Sequence, residues 1–234
     1  MKLTHFRLCP FSRSIRLACA ELELAPVLVD ERPWEMRPAF LAVNPAGELP
    51  VLELANGLTL CGAYSISEFL AEEAENSEAD ERTMRLFPGT PEDRAEVRRL
   101  VDWFHGKLNR EVTQPLVAEK VVGRFAGGPA GQTHAPPNVE LLRALRANLR
   151  YHLGYISFLA DQRRWLAGDE MSFADLAAAA HLSVIDYLGE APWDDYLLAK
   201  SWYLRLKSRR AFQSLLADRL PGMPPPIAYT DLDF

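Results

Sequence analysis

The stretch Asn44-Pro45-Ala46-Gly47-Glu48-Leu49-Pro50 (NPAGELP) decides how the first third of this chain is read. Two prolines bracket a glycine, and an apolar strand, Pro50–Leu54 (PVLEL), follows at once. Gly and Pro are the strongest punctuators of local structure, so the stretch reads as a shaped turn. X-Pro is also the only peptide bond that readily goes cis.

Working outward, Lys2–Leu8 reads as a first strand and Ser12–Leu24 as a helix with Ile15, Cys19 and Leu22 on one face. Pro26–Asp30 (PVLVD) reads as a second strand, and Glu35–Val43 as a short irregular helix. Asn56-Gly57 is a strong hairpin turn signal and joins Pro50–Leu54 to Leu58–Leu60. A helix follows from Ala63 to Ala74, which makes βαβα-ββα, a mixed sheet with helices packed on it. Residues 1–76 form this α/β unit, and 77–90 form a polar linker ending in FPGTP. Thr90 can cap the next helix with Pro91 at its first position. From 91 to 220 everything reads helical: Glu92–Phe125 with a bend at Pro115, then Asn138–Leu166, Phe173–Leu188, Tyr196–Lys207 and Arg210–Leu220. Residues 221–234 are a proline-rich, acidic-aromatic tail.

The totals set bounds. The chain has 234 residues, 48% of them hydrophobic, enough for one large domain or two small ones. Twenty-six basic against 32 acidic residues leave a net charge of −6, which argues against nucleic acid or an anionic membrane as main partner. MKLTHFRLCPFS lacks the apolar run of a signal peptide, and no stretch is long enough to insert in a membrane. Three cysteines, Cys9, Cys19 and Cys61, are too few for a disulfide framework, so a cytoplasmic location is expected. His5, His105, His134, His152 and His181 are scattered without ligand spacing, and no metal site is expected.

A small βαβα-ββα domain ahead of a helical bundle resembles the glutathione S-transferase superfamily. NPAGELP resembles that family's N-P-x-G-x-x-P loop, which implies a cis-proline at Pro50 and a backbone clamp at Leu49. Gly168-Asp169-Glu170-Met171-Ser172-Phe173-Ala174-Asp175 resembles its buried helix cap, with Ser172 accepting from the N–H of Asp175 and Asp175 from that of Ser172. Cys9-Pro10-Phe11-Ser12-Arg13 resembles the turn before the first helix of omega-like members and glutaredoxins. A homodimer is implied by resemblance alone.

A glutathione site in this family also needs a Gln/Glu-Ser pair at the start of the third helix. Aligning Ile66 and Phe69-Leu70 puts that pair on Gly62-Ala63, so Leu49, Pro50, Gly62 and Ala63 read as a vestigial site and no cofactor is expected. Each lost charge-assisted hydrogen bond removes roughly 1.5–3 kcal/mol of binding. Cys9, ahead of a helix N-terminus where the dipole lowers a thiol pKa, is a candidate for a mixed disulfide; Ser12 is a candidate for orienting a bound thiol. The alternative is inherited loop geometry, with Ser12 as the helix cap. Cys19 and Cys61 read as core. Asp93, Glu96, Arg99 and Trp103 read as a solvated or dimer-facing stripe.

Two segments read as partner-binding. Asp30-Glu31-Arg32-Pro33-Trp34-Glu35 offers Arg32, Trp34 and Glu35, and Trp and Arg are favoured interface anchors. Against this, Trp34 can fold back over the first domain. The tail places Asp231, Leu232, Asp233 and Phe234 after a Pro224-Pro225-Pro226 spacer, or else packs across its own helical domain. Together these features resemble an FtsZ-associated division branch of the superfamily in alphaproteobacteria. That resemblance implies binding to FtsZ filaments at the division site, contact with septal wall synthesis through the tail, and no catalysis. The alternative is a glutathione-dependent transferase or thiol reductase using Cys9 or Ser12.

Overall fold

The computed structural model describes residues 1–76, 84–125 and 138–232. A four-stranded sheet of order β2-β1-β3-β4 organises the first part. Its strands are β1 (Lys2–His5), β2 (Val27–Asp30), β3 (Val51–Glu53) and β4 (Thr59–Cys61). β2 runs parallel to β1 with Leu28 opposite Leu3; β3 is antiparallel to β1 with Leu52 opposite Leu3. Helices α1 (Pro10–Glu21), α2 (Pro38–Val43) and α3 (Ala63–Asn76) complete this part. Leu3, Ile15, Ala18, Val51, Leu52 and Ile66 form its fully buried centre. Pro10 opens α1, where its missing N–H has no intrahelical partner to lose. The βαβα-ββα order and mixed sheet agree with the pattern in the sequence.

β2 differs from its neighbours. It is one of the two sheet edges, and Val27, Leu28 and Val29 are all exposed.

The second part is helical. Helix α4 starts as Pro91–Asp102 and runs on through Trp103–Thr113, Gln114–Val117, Ala118–Val122 and Gly123–Phe125. Pro115 does not interrupt it. The winding widens to π turns on both sides of Gln114–Val117, which accommodates a residue without an N–H. Thr90 caps α4: Asp93 N–H donates to its hydroxyl at 3.3 Å, and Thr90 N–H donates to Asp93 Oδ2 at 2.9 Å. Asp93 is therefore part of the cap while remaining exposed. Glu96 likewise accepts from Arg99 and Arg163, and Trp103 packs on Tyr155.

Helices α5 (Val139–Gln162), α6 (Phe173–Tyr187), α7 (Leu197–Lys207) and the short α8 (Gln213–Leu216) follow. α6 is buried along its whole length, and α1 of the first part packs against it. Among the described residues, no helix is long and apolar enough to cross a membrane, and no three or more His, Cys, Asp or Glu side chains could hold a metal ion.

Candidate functional site

The NPAGELP loop is held by its own side chain. Asn44 Nδ2 donates to Glu48 O at 2.8 Å, and Ala46 N–H donates to Asn44 Oδ1 at 3.2 Å. Gly47 takes φ of +67°, a conformation that favours glycine. The Leu49-Pro50 bond is cis. This brings the buried Leu49 to the first turn of α1, with Cys9 Sγ 3.9 Å from Leu49 O.

Cys9 occupies the N-cap position of α1 and makes no side-chain cap bond. The sequence suggested a thiol pKa lowered by the helix dipole. Burial wins instead and raises it, against opposing bonds from the Ser12 hydroxyl and the N–H groups of Ser12 and Phe11. Ser12 is not the cap. It lies inside α1 and is fully buried.

At the third element, Gly62 has φ of +86°, and its N–H is used by Pro50 O at 2.9 Å. Ala63 is buried at the start of α3. No carboxylate, amide or hydroxyl side chain stands at either position. Cys61, read as core, is exposed at the end of β4, an edge strand of the sheet; Cys19 is buried.

Beside this site runs a relay that sequence spacing could not show. His105 and His181 lie 76 residues apart, yet His105 Nδ1 and His181 Nε2 are 3.0 Å apart. Ser14 donates to Phe11 O, so it accepts from His105 Nε2. His105 Nδ1 then accepts from His181 Nε2, and His181 Nδ1 accepts from the Thr113 hydroxyl. Burial lowers the His105 pKa to about 3 and puts that of His181 lower than usual too. Phe11 and Tyr64 pack on the His105 ring. His134 lies outside the described residues.

The loop after β2 is less free than its sequence suggests. Trp34 folds back edge-on against Phe6, with ring centroids 4.9 Å apart, and is half-buried. Arg32 pairs with its own Glu35 at 3.1 Å and lies over Phe125. Arg37 pairs with the buried Glu31. The loop thus walls a cleft of about 350 Å³ whose far side is Phe125, Leu220 and Pro221. Trp34 Nε1 is buried there without an acceptor among the described residues.

The tail is not a free spacer either. Tyr229, in the one-turn helix Ile227–Tyr229, is fully buried, and its hydroxyl donates to Leu215 O at 2.9 Å. Lys207 Nζ donates to Ala228 O at 3.2 Å. Ile227, Asp231 and Leu232 stay exposed; Asp233 and Phe234 lie outside the described residues.

The expected Ser172–Asp175 capping box is present. The Ser172 hydroxyl also donates to Asp175 Oδ2 at 3.2 Å, and Asp175 N–H also bonds Ser172 O at 3.0 Å. Asp175 also accepts from Ser172 N–H, Leu166 N–H and Trp202 Nε1, at 2.9–3.0 Å. The last two partners carry no local sequence signal.

Residues 3–78 match the model of the glutathione S-transferase N-terminal domain, and residues 110–210 that of the C-terminal domain. FtsZ-localized protein A of Caulobacter vibrioides (strain NA1000 / CB15N) is 46% identical over 99% of this chain and 97% of its own. The solved structure of FzlA from C. crescentus superposes with a TM-score of 0.89 at 44% identity, covering 100% of both chains. A solved glutathione S-transferase from Rhodospirillum rubrum F11 superposes with a TM-score of 0.90 at 45% identity, covering 100% of this chain and 99% of its own.

Proposed function

The chain belongs to the glutathione S-transferase family, and within it we propose a non-catalytic member that binds FtsZ filaments and supports cell division and septal wall synthesis. The carrying observation is the likeness to FtsZ-localized protein A over nearly the full length of both chains. The site chemistry supports it. The side chains that would hold the γ-glutamyl end are missing at Gly62-Ala63, and the Cys9 thiol is pushed away from thiolate.

The filament-binding surface in this reading is the cleft walled by Arg32, Trp34 and Glu35. Its aromatic rings, Phe6, Trp34 and Phe125, and its paired charges suit a folded protein surface more than a small anion. Asp231, Leu232, Asp233 and Phe234 form the second contact, toward the wall-synthesis machinery. The active form is a homodimer, located in the cytoplasm at the division site.

A second reading keeps glutathione chemistry. Cys9 next to Leu49, in a chain 45% identical to a solved glutathione S-transferase, favours a transferase or thiol reductase using Cys9 or Ser12.

Co-sedimentation with GTP-polymerised FtsZ separates the two. The first reading expects this chain in the pellet with filaments and in the supernatant without GTP. A chain that stays in the supernatant throughout, and conjugates glutathione to a model electrophile, establishes the second.

A further inference from the structure

Helix α1 carries two buried guanidinium groups, Arg13 and Arg16, at 0% and 6% exposure. One carboxylate, Asp218, pairs with both, at 3.3 Å and 2.8 Å. A buried cation sharing its counter-charge depends on its remaining acceptors. For Arg13 these come from three separate places. Nε donates to Arg7 O at 2.6 Å; Nη1 donates to Ser183 Oγ at 2.8 Å and to the Tyr229 hydroxyl at 3.2 Å. The tail is thus plugged into the first domain's own helix.

Arg7 extends the connection. Its carbonyl is held by Arg13, and its side chain reaches Asp30 Oδ2 at 2.6 Å and Arg219 O at 3.2 Å. Phe6, its neighbour, is the ring on which Trp34 rests. A continuous set of contacts therefore runs Trp34–Phe6–Arg7–Arg13–Tyr229. It spans the loop after β2 and the C-terminal segment, two surfaces that are 195 residues apart in sequence when counted from Trp34 to Tyr229.

We infer that the loop and the tail are energetically coupled, with Tyr229 seated or unseated on Arg13 as the two-state element. Seating Tyr229 completes the acceptors of Arg13, which fixes the Phe6-Arg7 turn and so the platform under Trp34. Coupling is reciprocal: a partner that immobilises the Trp34 loop strengthens the seat, and one that draws out the tail loosens the loop. The two surfaces then act as one linked pair, not as independent sites joined by a flexible spacer. What each surface binds rests on the proposed function; the coupling does not.

Hydrogen–deuterium exchange of the full chain, read by mass spectrometry, tests it without any partner. Tyr229→Phe keeps the ring and removes the hydroxyl; Tyr229→Ala empties the seat. Both are expected to raise exchange in residues 218–232 and also in 5–8 and 30–37, on the order of threefold or more. Ile227→Ser, at a side chain 92% exposed, is expected to leave 5–8 and 30–37 unchanged. Faster exchange confined to 218–232, or spread equally over α3, overturns the coupling. Tyr229→Phe decides the matter if Tyr229→Ala does not fold. A wild type that ignores FtsZ while showing linked exchange would remove the proposed function and leave this inference standing.

Discussion

Cys9 Sγ stands 3.9 Å from the carbonyl oxygen of Leu49, so the thiol and the loop that would clamp a peptide ligand face each other. Proximity alone does not make a reactive centre. The thiol needs to be a thiolate, and its burial opposes that more than Ser12 and the first-turn N–H groups favour it.

Alkylation with iodoacetamide at pH 7.5 should therefore modify the exposed Cys61 first and Cys9 much later, as peptide mass spectrometry resolves. Cys9 reactivity should climb only above the ordinary thiol pKa. Equal rates at the two sites would restore Cys9 as a candidate nucleophile.

Glutathione should bind no more tightly than the millimolar range by calorimetry. Restoring Gln-Ser at 62–63 is not symmetrical. Ala63→Ser adds a hydroxyl at the start of α3, whereas Gly62→Gln puts a side chain on a left-handed backbone at roughly 1–2 kcal/mol. The double variant should gain affinity and lose thermal stability together; unchanged affinity would mean that the Leu49 clamp does not engage glutathione.

Asp175→Ala should destabilise far more than Ser172→Ala. Four donors converge on the Asp175 carboxylate, and only two of them come from Ser172. Leaving buried donors unpaired costs about 1–3 kcal/mol each, while loss of one hydroxyl bond costs about 1 kcal/mol. Urea unfolding gives both values, and similar midpoints for the two variants would contradict this account.

Stability should fall in mild acid. Burial depresses the His105 pKa to about 3 and, helped by Arg16, that of His5 to about 4. The unfolded chain takes up protons near pH 6.5 while the folded chain refuses them. The stability these residues contribute is complete above pH 6.5 and drains as pH drops toward 4 and below. Each histidine should remove about 2 kcal/mol by pH 5. His105→Gln should flatten the urea midpoint against pH between 7.5 and 5; an unaltered slope would remove His105 from the explanation.

Trp34→Ala should abolish most FtsZ co-sedimentation, since anchoring tryptophans at interfaces are often worth ~2 kcal/mol or more. Its circular dichroism should remain that of the wild type, because the ring contacts Phe6 from the edge and only half of it is buried. Full co-sedimentation would move the filament surface elsewhere on the fold.

What the sequence disclosed was what neighbouring residues settle among themselves. Asn44, Gly47 and Pro50 shape one turn; Thr90 and Pro91 open one helix; each is legible because its bonds close within a few positions. The candidate site was legible as far as its missing side chains at 62–63. The Cys9 environment and the exposure of Cys61 were not, and the fold-back of Trp34 stood only as one of two readings, since these depend on which faces the two domains cover. The tail is the clearest case. Arg13 and Tyr229 are 216 residues apart, and no local pattern marks either as the partner of the other.

The bare edge of β2 bears on how this protein must be handled. Val27, Leu28 and Val29 present an apolar row on a strand with one unpaired side, the arrangement from which chains add to one another into aggregates. Pro26 before the row and Asp30 after it act as gatekeepers: one cannot donate to an incoming strand, and the other would bring its charge into the junction. Asp30 is in turn committed to Arg7 at 2.6 Å. Asp30→Asn, which removes that charge, should therefore lower the concentration at which the folded chain begins to precipitate, before any loss of helix is detectable.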